Sequence, residues 1–381
     1  MVWWKRLRLK SKDPQTRCRV IEGLTHSHHP HAIELFIASL ADEDADVRRT
    51  AARALGQCQD DRATAALIAT LRDQNVGVRE AATQTLGRST DSRAVDALTF
   101  RLRDPAAEVR TAAAAGLRYL GWRPSTLEDQ ALFEIALGHN QAAVGAGKAA
   151  VVPLLAELKH DTSFQRRAAA EALQGVDDPR RIRPLLAAAR DPDPNVRVSA
   201  IYALAKESSA EVCTMLVKTL RDPDPLVRHA AAEVLAKLED PASAPCFFEL
   251  LGDNHYEVRL TAVLFLGKLQ DPQAAEALSP LLRDPDNDVR RATATALGAL
   301  GNPLAIEPLV LALIDEERTV RMAAENALEC LDRHWASSEA AQAAATRLEA
   351  SLNDHCAWVR SAATQLVTKL RPANECVRAA S

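Results

Sequence analysis

Four histidines in one short stretch suggest metal chemistry more readily than any other residues of this sequence. The segment THSHHPH contains His26, His28, His29 and His31, and imidazole side chains are common ligands of zinc and nickel. Adjacent residues of one loop seldom close a tetrahedral site without ligands from elsewhere. No aspartate or glutamate interleaves with the four histidines. We therefore interpret this stretch as a solvated loop and expect no bound metal.

Other segments that could carry catalysis lack the necessary spacing. AVGAGKAA (143–150) resembles a phosphate-binding loop, but Ala142 and Ala149 stand where that motif requires glycine and a hydroxyl residue. The sequence contains no HExxH, GxSxG or CxxC motif. We expect no catalytic residue and no cofactor. The seven scattered cysteines favour a reducing, cytoplasmic location in which most thiols are buried as small apolar side chains.

Composition narrows the class of partner. The 47 basic and 51 acidic residues give a net charge of −4, so we expect no nucleic-acid partner. No apolar run reaches the roughly 20 residues that cross a bilayer. The basic start includes Trp3 and Trp4, which would suit either peripheral contact with an anionic membrane or a cover over the exposed end of a core. We favour the cover.

The helices that position the side chains of this protein can be predicted from a repeated sequence unit. Each copy has an arginine preceded by valine, with aspartate six residues before it and leucine seven residues after it in most copies. Eight of the ten intervals between successive arginines are 31 residues. The arginines are Arg17, Arg48, Arg79, Arg110, Arg166, Arg197, Arg228, Arg259, Arg290, Arg321 and Arg360.

Each position of the unit has a physical interpretation. Valine, a small residue three positions after the arginine, and the leucine form one apolar stripe on a helix. Aspartates at the turns cap the helix that follows. The unit is therefore a helix A of ~11 residues and a helix B of ~14 residues, joined by acidic turns. Recurring Arg and Asp predict a ladder of ion pairs between neighbouring units, and each exposed pair would contribute only ~0.2–1 kcal/mol.

The pattern D-P-D-x-x-V-R-x-x-A-A-x-A-L-G resembles the HEAT repeat, in the shorter form named after the phycobilisome lyases. The resemblance covers nearly the whole chain and implies an all-α fold, a right-handed α-α superhelix of about twelve two-helix repeats. Repeats of this kind serve many unrelated roles, so the resemblance does not specify an activity.

Two intervals break the period and set the expected organisation. The 56-residue interval contains a degenerate repeat at 121–158, with helices near 127–137 and 148–158, which we expect to kink the stack between repeats at 1–120 and repeats at 159–372. Residues 373–381 are expected to be a tail. The 39-residue interval adds eight residues near Trp335, which we expect to lengthen the last helix A.

The candidate binding surface lies on the side of helix B that faces away from the apolar stripe. The resemblance to other solenoid proteins implies that this side lines a concave surface. Lysines and apolar residues on it would suit a partner segment that contains acidic and apolar residues. We expect a monomeric, non-catalytic scaffold. The candidate residues are Val198, Tyr202, Lys206, His229, Glu233, Lys237, Leu260, Leu264 and Lys268.

Two enzymatic alternatives come from the resemblance. One is a bilin lyase-like or chaperone-like factor that acts on a phycobiliprotein-type partner, although no residue marks a bilin site. The other is a deoxyhypusine hydroxylase-like di-iron oxygenase, which holds its irons through His-Glu pairs. This sequence contains no His-Glu dipeptide, so the second alternative is disfavoured.

Overall fold

The computed structural model describes residues 8–25, 31–58, 60–239, 241–269 and 271–371, and every regular element in those ranges is helical. The all-α class predicted from the sequence is confirmed. The chain divides into two compact units, Met1–Pro184 and Leu185–Ser381, and each is described separately below. The N-terminal tryptophans, three of the four clustered histidines and the expected tail lie outside the described residues.

The first unit is built from short helices in pairs, with an irregular segment near its end. Its helices are α1 (Pro14–Thr25), α2 (Ala32–Ser39), α3 (Ala45–Leu55), α4 (Asp61–Thr70), α5 (Val76–Leu86), α6 (Ser92–Arg101), α7 (Ala107–Tyr119), α8 (Leu127–Ala136), α9 (Asn140–Ala143), α10 (Val151–Glu157) and α11 (Ser163–Leu173).

The second unit continues the same alternation, and several of its A helices begin or end in a 3-10 turn. Helix α12 (Ile182–Ala188) contains the division between the units. The remaining helices are α13 (Pro194–Ala203), α14 (Ala210–Thr219), α15 (Pro225–Leu238), α16 (Ala244–Leu250), α17 (Tyr256–Lys268), α18 (Pro272–Leu278), α19 (Asn287–Leu300), α20 (Ile306–Ala312), α21 (Arg318–Leu331), α22 (Glu339–Leu348) and α23 (Ala357–Leu370).

The B helices of each unit pack side by side in one layer, and the A helices cover them. In the first unit α1, α3, α5 and α7 are successive neighbours, and in the second unit α13, α15, α17, α19 and α21 are. The predicted apolar stripe forms the core between the layers: Val47, Val227 and Val320 are fully buried. Stacking the helix pairs removes this apolar stripe from water, which a single helix pair could not do alone.

The acidic turns cap the helices as the sequence predicts. Asp44 accepts from the amides of Asp46 and Val47 at 2.9 and 3.1 Å. In the second compact unit Asp286 does the same, at 3.0 and 3.1 Å to Asp288 and Val289. Each carboxylate thereby satisfies amides that have no partner within the first turn of the helix.

The ladder of ion pairs is present and is more buried than the sequence suggests. The arginine of one pair bonds the aspartate 25 residues later, as in Arg48–Asp73 at 2.7 Å and Arg259–Asp284 at 2.6 Å. Only 5% of the Asp284 side chain and 1% of the Asp104 side chain is exposed. The expectation that these pairs are exposed is therefore wrong, because most of the surface of both side chains is covered in Arg48–Asp73, Arg79–Asp104 and Arg259–Asp284.

Each ladder aspartate also holds its own turn. Asp253 accepts from the His255 amide at 2.8 Å and from both Nε and Nη2 of Arg228. Burial by itself would raise the pKa of Asp253, but the hydrogen bonds from Arg228 and His255 outweigh it, and the pKa lies below its ordinary value. One residue thus joins a turn to the neighbouring pair.

The irregular segment has the two helices expected from the sequence, near their predicted positions, and a short additional one. Between α9 and α10 the chain forms a 3-10 stretch, Val144–Ala150, in which Gly147 adopts φ +58°, a conformation that favours glycine. Glu157, at the end of α10, bonds Arg110. This glutamate takes the place of the ladder aspartate, so the ladder continues across the irregular segment.

The eight-residue extension does not lengthen the last helix A, contrary to expectation. Helix α22 has 10 residues, as α4 and α6 do. The added residues form a 3-10 turn, Trp335–Ser337, before it. Trp335 is only 7% exposed and its ring contacts the Lys369 ammonium at 4.9 Å from its centroid. The 3-10 turn of the extension therefore packs between α21 and α23 and contacts both helices.

Candidate functional site

The nine candidate residues lie along three successive B helices of the second unit, with one exception. Val198 and Tyr202 belong to α13, His229, Glu233 and Lys237 to α15, and Leu260, Leu264 and Lys268 to α17. Lys206 lies three residues beyond the end of α13, because that helix stops at Ala203. The predicted row of lysines on helix B is therefore wrong at Lys206 and correct at the other two positions.

A hydrogen-bonded chain connects two of these helices. Tyr202 Oη donates to Glu233 Oε2 at 2.7 Å, and Lys237 Nζ donates to Glu233 Oε1 at 2.8 Å. The Lys237 ammonium lowers the pKa of Glu233, against a smaller opposing effect of burial. Burial, and then the bond to Glu233, raises the pKa of Tyr202. The carboxylate is therefore occupied within the surface, and the phenol stays protonated as a donor.

Two lysines of the surface differ from Lys237 in their surroundings. Lys206 and Lys268 are exposed. Among the described residues no carboxylate forms an ion pair with either of them, in contrast to Lys237. An acidic group of another molecule would meet these two ammonium groups at the edge of the surface.

Apolar side chains accompany the charges. Leu264 is 51% exposed, and Val198, Leu260 and His229 are half-buried. Tyr202 is half-buried, and its hydroxyl is held by Glu233 of the next B helix. We call these nine residues the B-helix surface. Aromatic and aliphatic groups that are fixed in position are effective anchors for a protein partner.

The same face continues into a groove that the sequence did not single out. The groove lies between α19 and α21, has a volume of about 510 Å³, and is lined by Arg291, Thr295, Gly298, Met322 and Cys330 among others. Met322 is 50% exposed. Met322 and Cys330 occupy the same positions of their 31-residue repeat as Leu260 and Lys268 do of theirs. Counting the same positions in the next two repeats, those of Arg290 and Arg321, would have identified the residues of this groove.

The described cysteines are less buried than predicted. Cys18, Cys58, Cys213, Cys246 and Cys356 are half-buried, and Cys330 is exposed. The prediction that most thiols lie in the core is wrong, because the core positions of the unit are taken by valine, alanine and leucine. Burial raises the pKa of the Cys18 and Cys58 thiols, which disfavours the reactive thiolate form.

The remaining candidates for chemistry do not assemble in the part of the chain that the structure describes. His31 Nδ1 lies 3.7 Å from a Glu34 carboxylate oxygen. No three His, Cys, Asp or Glu side chains of the described residues are grouped so that they could hold a metal ion. In the same ranges, no helix combines the length and the apolar character needed to cross a membrane.

Comparison with known proteins supports the repeat. A family model described as HEAT repeats matches residues 4–75, 33–118, 151–236, 182–260, 214–293, 247–329 and 275–368. None of the curated proteins compared with the chain matches it. The matches together leave 119–150 uncovered between them, which is most of the irregular segment before α10.

Solved structures with a similar arrangement share little sequence with this chain. An engineered protein is 22% identical with a TM-score of 0.42 and covers 87% of this chain and 98% of its own. A chain of the Kap95p–RanGDP structure is 15% identical with a TM-score of 0.39, covering 97% of this chain and 54% of its own. Human deoxyhypusine hydroxylase is 24% identical with a TM-score of 0.28, covering 78% and 95%.

The repeated sequence unit, the A and B layers and the family-model matches over 4–118 and 151–368 agree with one another. This chain belongs to the HEAT-repeat family.

Proposed function

We propose that this protein is a non-catalytic scaffold that binds a protein partner through the B-helix surface of the second unit. The observation that carries the proposal is the combination of an exposed Leu264, a fixed Tyr202 and two exposed lysines, Lys206 and Lys268, which form no ion pair with a carboxylate of the described residues. Tyr202, Glu233 and Lys237 already bond one another, so apolar contact would not leave these three polar groups unpaired.

The chemistry of the surface favours a particular kind of partner. Apolar side chains of the partner would pack on Leu260, Leu264 and Val198, while acidic side chains would approach Lys206 and Lys268. We therefore propose a partner segment that alternates apolar and acidic residues. The scattered cysteines without a CxxC pair support a cytoplasmic location for this scaffold, which is part of the proposal.

The test is removal of both anchors. A partner is first identified by co-purification from native lysate, and its affinity for purified wild-type protein is then measured by calorimetry. The change Tyr202→Ala with Leu264→Ala should weaken binding at least about 100-fold, because two anchors of about 2 kcal/mol each are lost. Helix content and melting temperature should stay close to those of the wild type.

Two variants separate the contributions. Tyr202→Phe keeps the ring and removes only the bond to Glu233, so it should cost about tenfold or less. The matched control is Leu127→Ala with Phe164→Ala, which removes two apolar side chains that are 59% and 76% exposed in the first unit. Equal losses in this control and in the surface variant, or unchanged binding by the surface variant, would exclude the B-helix surface.

A second candidate function follows from the form of the repeat. The 31-residue unit with D-P-D-x-x-V-R resembles the phycobilisome-lyase type of repeat, and this supports a lyase-like or chaperone-like factor. Incubation of the protein with phycocyanobilin separates the two proposals. A shifted absorbance band that stays with the protein through gel filtration would favour the bilin-handling factor, whereas unchanged free pigment would leave the scaffold.

A further inference from the structure

The irregular segment borders a pocket in the first unit. In a regular repeat an aspartate stands 25 residues after the ladder arginine, as Asp104 does after Arg79. Ile135 stands at that position after Arg110, and the carboxylate that bonds Arg110 comes instead from Glu157. An apolar residue of α8 thus replaces a charged residue beside the ladder.

Apolar side chains of two helices line this pocket. Leu132 and Ile135 come from α8, and Val152, Pro153 and Ala156 come from α10. The space between them, which we call the α8–α10 pocket, has a volume of about 590 Å³, and sites for small molecules have volumes in that range. Ile135 forms a covered part of the lining, whereas Val152 is 61% exposed. Apolar surface is therefore open to a ligand in this pocket.

The carboxylates of the described residues that border this pocket are already paired. Asp104 and Glu157 each bond a ladder arginine, and only 1% and 4% of their side chains is exposed. Glu128 Oε1 lies 3.1 Å from Nη2 of Arg103, which borders the same pocket. These carboxylates therefore repel an anionic ligand less than unpaired carboxylates would.

Lys148 differs from the other cations at the pocket. Arg103 and Arg110 belong to the pairs just described, and Arg180 holds both oxygens of Asp178 at 2.9 and 2.8 Å. Lys148 also borders the pocket and is exposed. Its carbonyl oxygen accepts from Arg180 Nη2 at 3.5 Å, which ties its backbone to the neighbouring turn. Its ammonium forms no ion pair with a carboxylate in the part of the chain that the structure describes.

We propose that the α8–α10 pocket binds an amphipathic monocarboxylate, a small molecule with an apolar body and one carboxylate. The body packs between α8 and α10, where it covers Val152 and its apolar neighbours. The carboxylate contacts the Lys148 ammonium, so the single negative charge of the ligand matches the cation that lacks an ion-pair partner. This site lies in the first unit and is independent of the proposed function, which concerns the second unit.

The first experiment compares two probes of the same shape on the full-length wild-type protein. Octanoate carries a carboxylate at neutral pH, and octanamide is its neutral counterpart. Titrations followed by ligand-observed NMR should show octanoate binding about fivefold more tightly, which corresponds to the upper end of the contribution of an exposed ion pair. Equal affinity of the two probes, or no saturable binding of octanoate, would overturn the proposal.

A charge variant assigns this preference to Lys148. Lys148→Gln should lower the affinity for octanoate to that for octanamide, since the matched ammonium is lost. The control is Lys159→Gln, which removes an exposed lysine that does not border the pocket, and it should leave the affinity within about twofold. Equal losses in the two variants would indicate attraction to net charge alone and would refute the site.

A second pair of variants tests the apolar part of the pocket. Val152→Glu places a carboxylate in the pocket and should weaken octanoate binding at least about tenfold, because like charges repel and the new side chain competes for Lys148. Val76→Glu is the matched control: both valines lie in the first turn of their helices and are exposed, where an acidic residue is favourable. Circular dichroism checks that both variants fold. Equal binding by the two variants would contradict the location.

Chemical footprinting locates the ligand without any variant. Octanoate should slow the acetylation of Lys148 by N-acetoxysuccinimide and leave that of Lys159 unchanged, because only Lys148 borders the pocket. Mass spectrometry of the digested protein measures both rates. Protection of both lysines, or of neither, would mean that octanoate binds elsewhere, and the assignment to this pocket would be wrong.

Discussion

At the scale of single residues, the ladder aspartate has two structural roles. It accepts an amide hydrogen bond within its own turn, as Asp284 does from Asp286 at 2.8 Å, and it binds the preceding arginine. The sequence identified both residues of each pair but assumed solvent around them. The structure surrounds Asp284 and Arg259 with neighbouring pairs. Removing one partner therefore leaves a charge that is mostly covered and lacks its counter-ion.

The ladder pair is open to a direct test. Asp284→Ala should lower the free energy of unfolding of the second unit by about 3–5 kcal/mol, the cost of leaving a buried charge without its partner. The control is Glu171→Ala, which removes the exposed pair between Arg167 and Glu171 and should cost only about 0.3–0.5 kcal/mol. Urea unfolding followed by circular dichroism measures both, and comparable losses would show that burial adds nothing to the ladder.

At the scale of helices, glycines eight residues after the ladder arginine determine how closely B helices approach. A Cβ atom added to Gly298 would lie 2.8 Å from both Cα and Cβ of Ala327, and one added to Gly267 would lie 2.7 Å from Cβ of Ala296. The sequence pattern placed a small residue in the apolar stripe three positions after the arginine but did not single out these glycines. The glycine position is a second, independent requirement of α17, α19 and α21.

This close approach predicts a measurable cost. Gly298→Ala should destabilise the second unit by about 1–3 kcal/mol, because the backbone of α21 must move away to relieve overpacking. The matched control, Gly23→Ala in α1, meets no atom within 4 Å and should stabilise by about 0.5–1 kcal/mol through helix propensity. Thermal and urea unfolding measure both. A gain in stability for Gly298→Ala would contradict the packing described.

At the scale of the whole molecule, each unit is a stack in which a pair of helices contacts mainly its sequence neighbours. Stability in such stacks is approximately a sum of local and nearest-neighbour terms. Damage at one interface is therefore expected to spread only a short distance. The B-helix surface depends on α13, α15 and α17, so it should respond to changes in those helices and their neighbours.

Hydrogen exchange tests this locality. In the Asp284→Ala variant, amide exchange should accelerate most in α17, α18 and α19, less in helices further along the second unit, and not detectably in α1 to α7. Exchange mass spectrometry of wild type and variant resolves these segments. Uniform acceleration along all helices would show that the chain unfolds as one cooperative block rather than as coupled neighbours.

The sequence by itself determined the helical class, the pairs, the caps and the identity of the ladder residues. It could do so because a 31-residue period places the same residue types at the same positions of successive helices, and helix periodicity and capping are local properties. It placed all nine candidate surface residues on helix B, and the structure has eight of them there, all except Lys206.

Only the tertiary structure decided what depends on neighbouring pairs. The contact of Gly298 with Ala327 and the bond of Tyr202 to Glu233 each join residues from adjacent helix pairs. The burial of Asp284 likewise depends on the helix pairs around it. The 3-10 turn at Trp335 arises where the period is interrupted. Helix α13 ends before Lys206 although its interval, Arg197 to Arg228, is a regular 31 residues. Packing between neighbouring helix pairs determines the exclusion of solvent and the distance between helices. The sequence of a single repeat does not specify that packing.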